Sequence, residues 1–240
     1  MRIMKFTLLT FMMLLLVTSA QANWSNEISV SAGDGPDLDV DPFTGHLHIT
    51  AMNNGVIYTE MNPNGTIINQ ERVPNTLGIP GAGAFGTAIS VDTDGNPHVC
   101  YRTDNGNHIY DLYYTFKDQN GWSSPLLIAE DVKRGYMVRI DVDNQNRVHG
   151  VHGSAIGDNV WGPVTYFRIE NGSVTKRHND LTKYRADDRV EIDASDGDNV
   201  HIIIGCPDPN GGPVSYWRSA DAGNTIQYVG DIHEIGRAHV

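Results

Sequence analysis

The sequence is short of positive charge. Its 240 residues hold 17 Lys and Arg against 29 Asp and Glu, with no run of basic residues anywhere. Nucleic acid and anionic membrane surfaces need such clusters, so neither is expected as a partner. Cysteine is almost missing too: Cys100 and Cys206 are the two present, which excludes a disulfide framework. They fall in the second and fourth units of a repeat, and are expected to be buried thiols acting as small apolar residues. Beyond the N-terminus no apolar stretch approaches membrane-spanning length. Helical periodicity, a nucleophile elbow, a phosphate-binding loop and a dinucleotide fingerprint are all absent.

The two ends stand apart from the rest. Arg2 and Lys5 precede an apolar run from Phe6 to Val17, and Ala20-Gln21-Ala22 fits a small-x-small cleavage site. Residues 1–22 therefore read as a signal peptide cleaved after Ala22, and the protein as secreted or periplasmic. No Cys at that site offers a lipid anchor. Once the leader is gone, 15 Lys and Arg face 29 acids, an acidic solvated surface. Ile235 to Val240 continues no strand pattern and matches the translation of a common sequencing adapter. Residues 235–240 are thus expected to be an artefact, and the chain a fragment.

What the sequence does have is a repeat. LDVDPFTGHLHI from Leu38, ISVDTDGNPHV from Ile89, IDVDNQNRVHG from Ile140 and IDASDGDNVHI from Ile192 are versions of one stretch. Their histidines, His48, His98, His149 and His201, follow at intervals of 50, 51 and 52 residues. Apolar and polar residues alternate, Asp, Gly and Asn supply a turn, and the chain returns: a strand, a tight turn and a second strand. Two more strands complete each unit. The third carries Tyr58, Tyr113 and Tyr114, Tyr166, or Tyr216 with Trp217, and a turn with Gly65, Gly121, Gly172 or Gly223 leads to the fourth. Four short antiparallel strands per unit of about 50 residues predict an all-β fold, a β-propeller.

The blades are expected over 37–73, 87–130, 138–178 and 190–230. Residues 23–33 resemble the last strand of the second repeat, with Trp24-Ser25 matching Trp122-Ser123. They read as a closing strand for a further blade, which predicts about six to eight blades in the whole protein.

Ser219-Ala220-Asp221-Ala222-Gly223-Asn224-Thr225 fits S-x-D-x-G-x-T and follows Tyr216-Trp217-Arg218. On this motif and the repeat, the chain resembles the sialidase-like propellers, the bacterial-neuraminidase-repeat or Asp-box superfamily. The resemblance implies that Ser219, Asp221, Gly223 and Thr225 have a structural task, on the face opposite the family's active site. It also implies what a sialidase would need: an arginine cluster, a Tyr nucleophile with a Glu partner, and an Asp acid/base. The family's first arginine lies in an F/Y-R-I-P motif; the nearest string here, Leu77-Gly78-Ile79-Pro80, lacks it. A lyase on a related propeller would need a His or Tyr base and a cationic group against a uronate.

If the first strand of each blade is innermost, Asp39, Arg139, Asp141, Glu191 and Asp193 border a central channel. Such an acidic channel could attract calcium, but no twelve-residue calcium loop is present, and no cofactor is expected. The four equivalent histidines would be spread around a ring, too far apart to converge on one metal, so a repeated structural hydrogen bond is expected of them. Loops on the ligand-binding face of such propellers would hold Arg102, Asp104, His108, Arg134, Tyr136, Trp161, Tyr184, Arg185 and Asp187, and His152, which ends a second strand, is a further ligand-binding candidate. Aromatic rings beside amides and charged groups are what sugar recognition uses. The reading is an exported monomeric propeller that binds glycan or extracellular protein through this loop face, with no catalytic set visible. The alternatives are a glycoside hydrolase or polysaccharide lyase whose site continues into further blades, and an adhesion scaffold.

Overall fold

The computed structural model describes residues 27–30, 32–77, 86–104, 109–133, 137–155, 161–181, 190–205 and 214–232. Among them are 17 strands and no helix, hence no helix long and apolar enough to cross a membrane. Blade 1 comprises β1 (Asp34–Val40), β2 (Leu47–Met52), β3 (Val56–Met61) and β4 (Ile67–Arg72). Blade 2 comprises β5 (Thr87–Val91), β6 (Pro97–Asp104) and β7 (Ile109–Asp118), with β8 (Gly121–Trp122) and β9 (Leu126–Lys133) both paired to β7. Blade 3 comprises β10 (Val138–Val142), β11 (Val148–Ala155), β12 (Trp161–Glu170) and β13 (Ser173–His178). Blade 4 comprises β14 (Val190–Asp193), β15 (Val200–Ile204), β16 (Val214–Ser219) and β17 (Gln227–Ile232). Neighbouring strands are antiparallel and run in chain order, as successive hairpins require.

Three details differ from the sequence expectation. The fourth strand of blade 2 is split, because Ser123 N–H is donated to Phe116 O at 2.8 Å and Pro125 has no N–H to give. The fourth strand of blade 4 starts at Gln227 rather than Thr225, whose N–H is taken by Asp221 Oδ1 at 2.8 Å. The described part of 23–33 forms no strand; Val30 O accepts from Gln70 Nε2 on β4 at 2.8 Å.

The first strands β1, β5, β10 and β14 lie side by side in that order. Period-two alternation gives each sheet two apolar faces, and each face packs on the adjacent blade. Met52, Val56, Tyr58 and Val73 of blade 1 meet Ile89, Val99 and Tyr101 of blade 2. Ala88, Cys100, Leu112, Tyr114 and Ile128 meet Ile140, Val142, Val148, Phe167 and Ile169 of blade 3. Val151, Val164 and Tyr166 meet Val190, Ala194, Val200 and Ile202 of blade 4. Burial of such side chains stabilises by about 1.5–3 kcal/mol each, so the joints between blades are the core. Phe167 fits because its cross-strand partner is Gly150: a Cβ there would lie 2.1 Å from Phe167 Cζ.

Candidate functional site

The repeated histidines are built into the blades. In each, the Nδ1 atom is 2.6–2.8 Å from a tyrosine hydroxyl on the third strand: His48 with Tyr58, His98 with Tyr114, His149 with Tyr166, His201 with Tyr216. Their Nε2 atoms face the acid that ends the first strand in blades 2 and 3, Asp92 at 3.2 Å and Asp143 at 3.0 Å. Burial raises the Asp92 carboxyl, but bonds from His98 and Asn96 outweigh it and hold it at about 2. Asp143 likewise has burial against it, and His149 and Arg147 bring it to about 2. Each of these acids also accepts two turn N–H groups, as an Asx turn does. Among the described residues no group of three His, Cys, Asp or Glu converges as a metal site would require.

The residues expected to line a channel are stitches between blades. Asp39 Oδ2 accepts Val91 N–H at 2.7 Å, and Asp141 Oδ2 accepts Ala194 N–H at 2.6 Å. Ser90 fills the same position in blade 2 and accepts Val142 N–H at 3.1 Å. Arg139 Nε meets Glu191 Oε1 at 3.3 Å across the next joint. Asp193 accepts from Ser195 N–H and Oγ, within its own blade. Twist brings each first strand close enough to its neighbour for a short side chain to reach the backbone.

The turn from Ser219 to Thr225 is a clasp on the preceding blade. Asp221 accepts from Ser219 Oγ, Thr225 N–H and Thr225 Oγ1, and the bonds from Thr225 and Ser219 hold its carboxyl at about 2. The turn so formed offers two carbonyls to blade 3: Ala222 O to Arg168, and Gly223 O to His178 Nε2 at 2.8 Å. Gly223 has φ +74, and a Cβ on it would meet Tyr166 Oη at 1.8 Å. Glycine is required there on both grounds.

Of the ten ligand-binding candidates, His108, Arg134, Tyr136, Tyr184, Arg185 and Asp187 lie outside the described residues. Arg102 and Asp104 end β6 and Trp161 opens β12, strands rather than loops, while His152 is within β11, the second strand on which it was expected. The second and third strands run on past the apolar alternation, because backbone pairing continues where side chains turn polar. Arg102 and His152 are moreover buried, at 3% and 6% exposure. They share one environment at the joint of blades 2 and 3. The Arg102 guanidinium stacks on the Tyr110 ring, 4.9 Å from its centroid. His152 lies 6.2 Å from the Phe167 ring, and neither ring nitrogen has a hydrogen-bond partner among the described residues. The Gly153 backbone beside it acts in the opposite sense to burial, favouring the protonated ring. Burial, with the positive charge of Arg177 and Arg102 nearby, pushes the imidazole down to about 4, so it is neutral at neutral pH. A neutral imidazole beside guanidinium groups can hydrogen-bond or take a proton near a bound anion. Tyr110 and Arg177 were not among the sequence candidates; the signal for Tyr110 is its position facing Asp104 across the β6–β7 hairpin.

No family model matches the sequence, and no curated protein matches it. Solved structures do resemble the fold. A Hadza microbial sialidase superposes with a TM-score of 0.55 at 13% identity, over 82% of this chain and 46% of that one. A PL25 ulvan lyase bound to -[GlcA(1-4)Rha3S]- gives 0.56 at 12%, over 82% and 55%. The GH43 endo-arabinanase from Bacillus licheniformis gives 0.50 at 12%, over 83% and 77%. The chain spans about half the length of the first two. At such identities the likeness concerns architecture, and with the four sheets described above it establishes a β-propeller.

Proposed function

We propose that the protein is an exported glycan-recognition propeller, and that it binds an acidic saccharide at the joint of blades 2 and 3. The observation that carries this is the group Arg102, Tyr110 and His152. It places a guanidinium, an aromatic face and a buried imidazole together inside an otherwise acidic chain. The guanidinium groups suit a carboxylate or sulfate, and the ring suits a sugar face. Similar folds in a sialidase, an ulvan lyase and an endo-arabinanase support a glycan as the ligand class. The test is calorimetric titration of the secreted protein with neutral, uronate-containing, sialylated and sulfated oligosaccharides. Acidic oligosaccharides are expected to bind, and the exposed-site variant Arg177→Gln to weaken them by about tenfold. Preference for a neutral glycan overturns the reading. Export is checked on the same material, whose first residue should be Asn23.

A second reading has its own observation. The imidazole is neutral at neutral pH, and a carboxylate bound beside it would raise its basicity toward that of the base a lyase requires. Appearance of an unsaturated uronate product, abolished by His152→Ala in a variant that still binds, would establish catalysis. Binding without turnover leaves recognition as the function.

A further inference from the structure

Asparagine followed by glycine can lose its side-chain amide, because a glycine leaves its backbone nitrogen open to close approach. Asn54-Gly55, Asn64-Gly65, Asn120-Gly121 and Asn171-Gly172 are such pairs among the described residues; Asn105-Gly106 and Asn210-Gly211 lie outside them. Asn64, Asn120 and Asn171 share one place in the repeat, the turn that follows the third strand in blades 1, 2 and 3. In blade 4 that turn carries Ala222-Gly223 and is the clasp on blade 3. The reacting pair is thus constant while its surroundings change.

At Asn64 the turn is held from several sides. Its Oδ1 accepts Thr66 N–H at 3.0 Å and Thr66 Oγ1 at 2.7 Å. Gly65 N–H is donated to Asn62 O at 2.9 Å, and Ile28 lies against Gly65. Asn120 donates Nδ2 to Asp118 Oδ2 at 3.2 Å and its backbone N–H to Asp118 Oδ1 at 2.7 Å. Asn54 precedes a buried glycine: a Cβ on Gly55 would lie 2.3 Å from Thr76 O, and Arg72 donates to Asn54 O. Asn171 differs from all three. Its side chain has no hydrogen bond among the described residues, and Asn171, Gly172 and Ser173 are all exposed. Nothing lies within 4 Å of a Cβ on Gly172. With φ of 50 and 70, the two residues form a type I′ hairpin turn beyond Glu170 and Ser173, the last pair of the β12–β13 ladder.

We infer that Asn171 is a site of spontaneous covalent modification, the first of the four described pairs to convert to aspartate and isoaspartate. Gly172 N attacks Asn171 Cγ. The new N–Cγ bond replaces the Cγ–Nδ2 bond, and Nδ2 leaves as ammonia with the Gly172 N–H proton. Water then opens the five-membered imide. Breaking N–Cγ yields aspartate; breaking the bond from that nitrogen to the Asn171 carbonyl carbon yields isoaspartate, whose main chain runs through Cγ. Ring closure must rotate the asparagine ψ away from its turn value. At Asn171 that costs only the end of a ladder, the least stable part of a hairpin. At Asn64 it also breaks the bonds to Thr66 and Asn62, and at Asn120 those to Asp118. Isoaspartate adds a backbone atom to a two-residue turn, so the Glu170–Ser173 pair cannot reform in register. This is independent of the ligand proposed above.

The secreted protein, held at mildly alkaline pH and sampled over weeks, is read by peptide mass mapping, with isoaspartate identified by enzymatic methylation. Asn171 is expected to convert first and Asn120 next. Asn64 and Asn54 should be slower than Asn171 by about tenfold or more, the factor that one or two further hydrogen bonds impose. In urea the four should convert at similar rates, because only the fold separates them. Thr66→Val, at an exposed position, removes one bond to Asn64 Oδ1 and should speed Asn64 alone. Gly172→Ala should slow Asn171 alone. A folded protein in which Asn64 or Asn54 leads overturns the inference. So does an Asn171 that stays intact when folded but converts in urea, or a ranking that persists in urea, which would assign the rates to sequence rather than to the turn.

Discussion

Blades 3 and 4 carry the same repeat in different surroundings. His149–Tyr166 and His201–Tyr216 have nearly the same separation, 2.7 and 2.6 Å. The first pair is sealed and backed by Asp143; the second is half-buried and has Ser195 at the position of that acid. Val151 and Ile203 differ in the same way. What seals the pair in blade 3 is the clasp from blade 4, Gly223 against Tyr166 and the carbonyls of 222 and 223 on Arg168 and His178. Burial in this fold is thus conferred by the neighbour rather than by the blade's own strands.

The largest expected consequence is an asymmetry between equivalent tyrosines. Tyr166→Ala opens a cavity at a filled joint and should cost about 3–5 kcal/mol in urea unfolding. Tyr216→Ala should cost about 1 kcal/mol, since much of its ring is already wet. Equal losses would break the comparison. Gly223 and Gly172 sharpen it, because both are left-handed, φ +74 and +70, but nothing lies within 4 Å of a Cβ on Gly172. Gly172→Ala should cost about 1 kcal/mol, the backbone part alone. Gly223→Ala should cost that plus about 1–3 kcal/mol for displacing Tyr166.

Asp143 is the next point of difference. Asp143→Asn should destabilise by about 1–3 kcal/mol at pH 7, because His149 and Arg147 lose a charged acceptor. Its carboxyl is near 2 when folded and near 3.8 as the reference. A depressed carboxyl contributes stability that is present above the reference value and lost as pH falls toward 2. The variant should therefore unfold less steeply between pH 4 and 2, and Asp92→Asn should do the same. Urea midpoints across that window check both.

The propeller was legible because its signals are local. The Asp-Gly turns, the alternation around Ile89 and the spacing of His98 and His149 each follow from strand and turn chemistry over ten residues or so. The turn from Ser219 to Thr225 was legible for the same reason. The bonds that Asp39 and Asp141 make to the next blade were not legible, because a bond to Val91 or Ala194 joins residues 52 or 53 apart. Arg102 was placed in a loop and His152 at a strand end because polar residues end an apolar alternation. Pairing in β6 and β11 carries them further, and the adjacent blade buries them. Contacts between blades have no short-range mark in a sequence, and the candidate site lies between blades.

Asp141 supplies the smallest and most discriminating effect. It stands two residues before Asp143, yet burial raises its carboxyl above 3.8, and the bond from Ala194 N–H only partly offsets this. The sign of its contribution is therefore reversed. Folding favours the protonated form, so stability from this group is greatest below the reference value and declines as pH rises through the raised one. Asn at 141 keeps a carbonyl for Ala194 N–H and removes the cost of burying charge. Asp141→Asn should change stability by less than about 1 kcal/mol at pH 7, while Asp143→Asn costs more. Carboxyl NMR titration should place Asp141 above 3.8 and Asp143 near 2. If Asp141→Asn proved as costly as Asp143→Asn, the negative charge itself would be holding β10 to β14, and the stitches between blades would be ionic rather than simple acceptors of a backbone N–H.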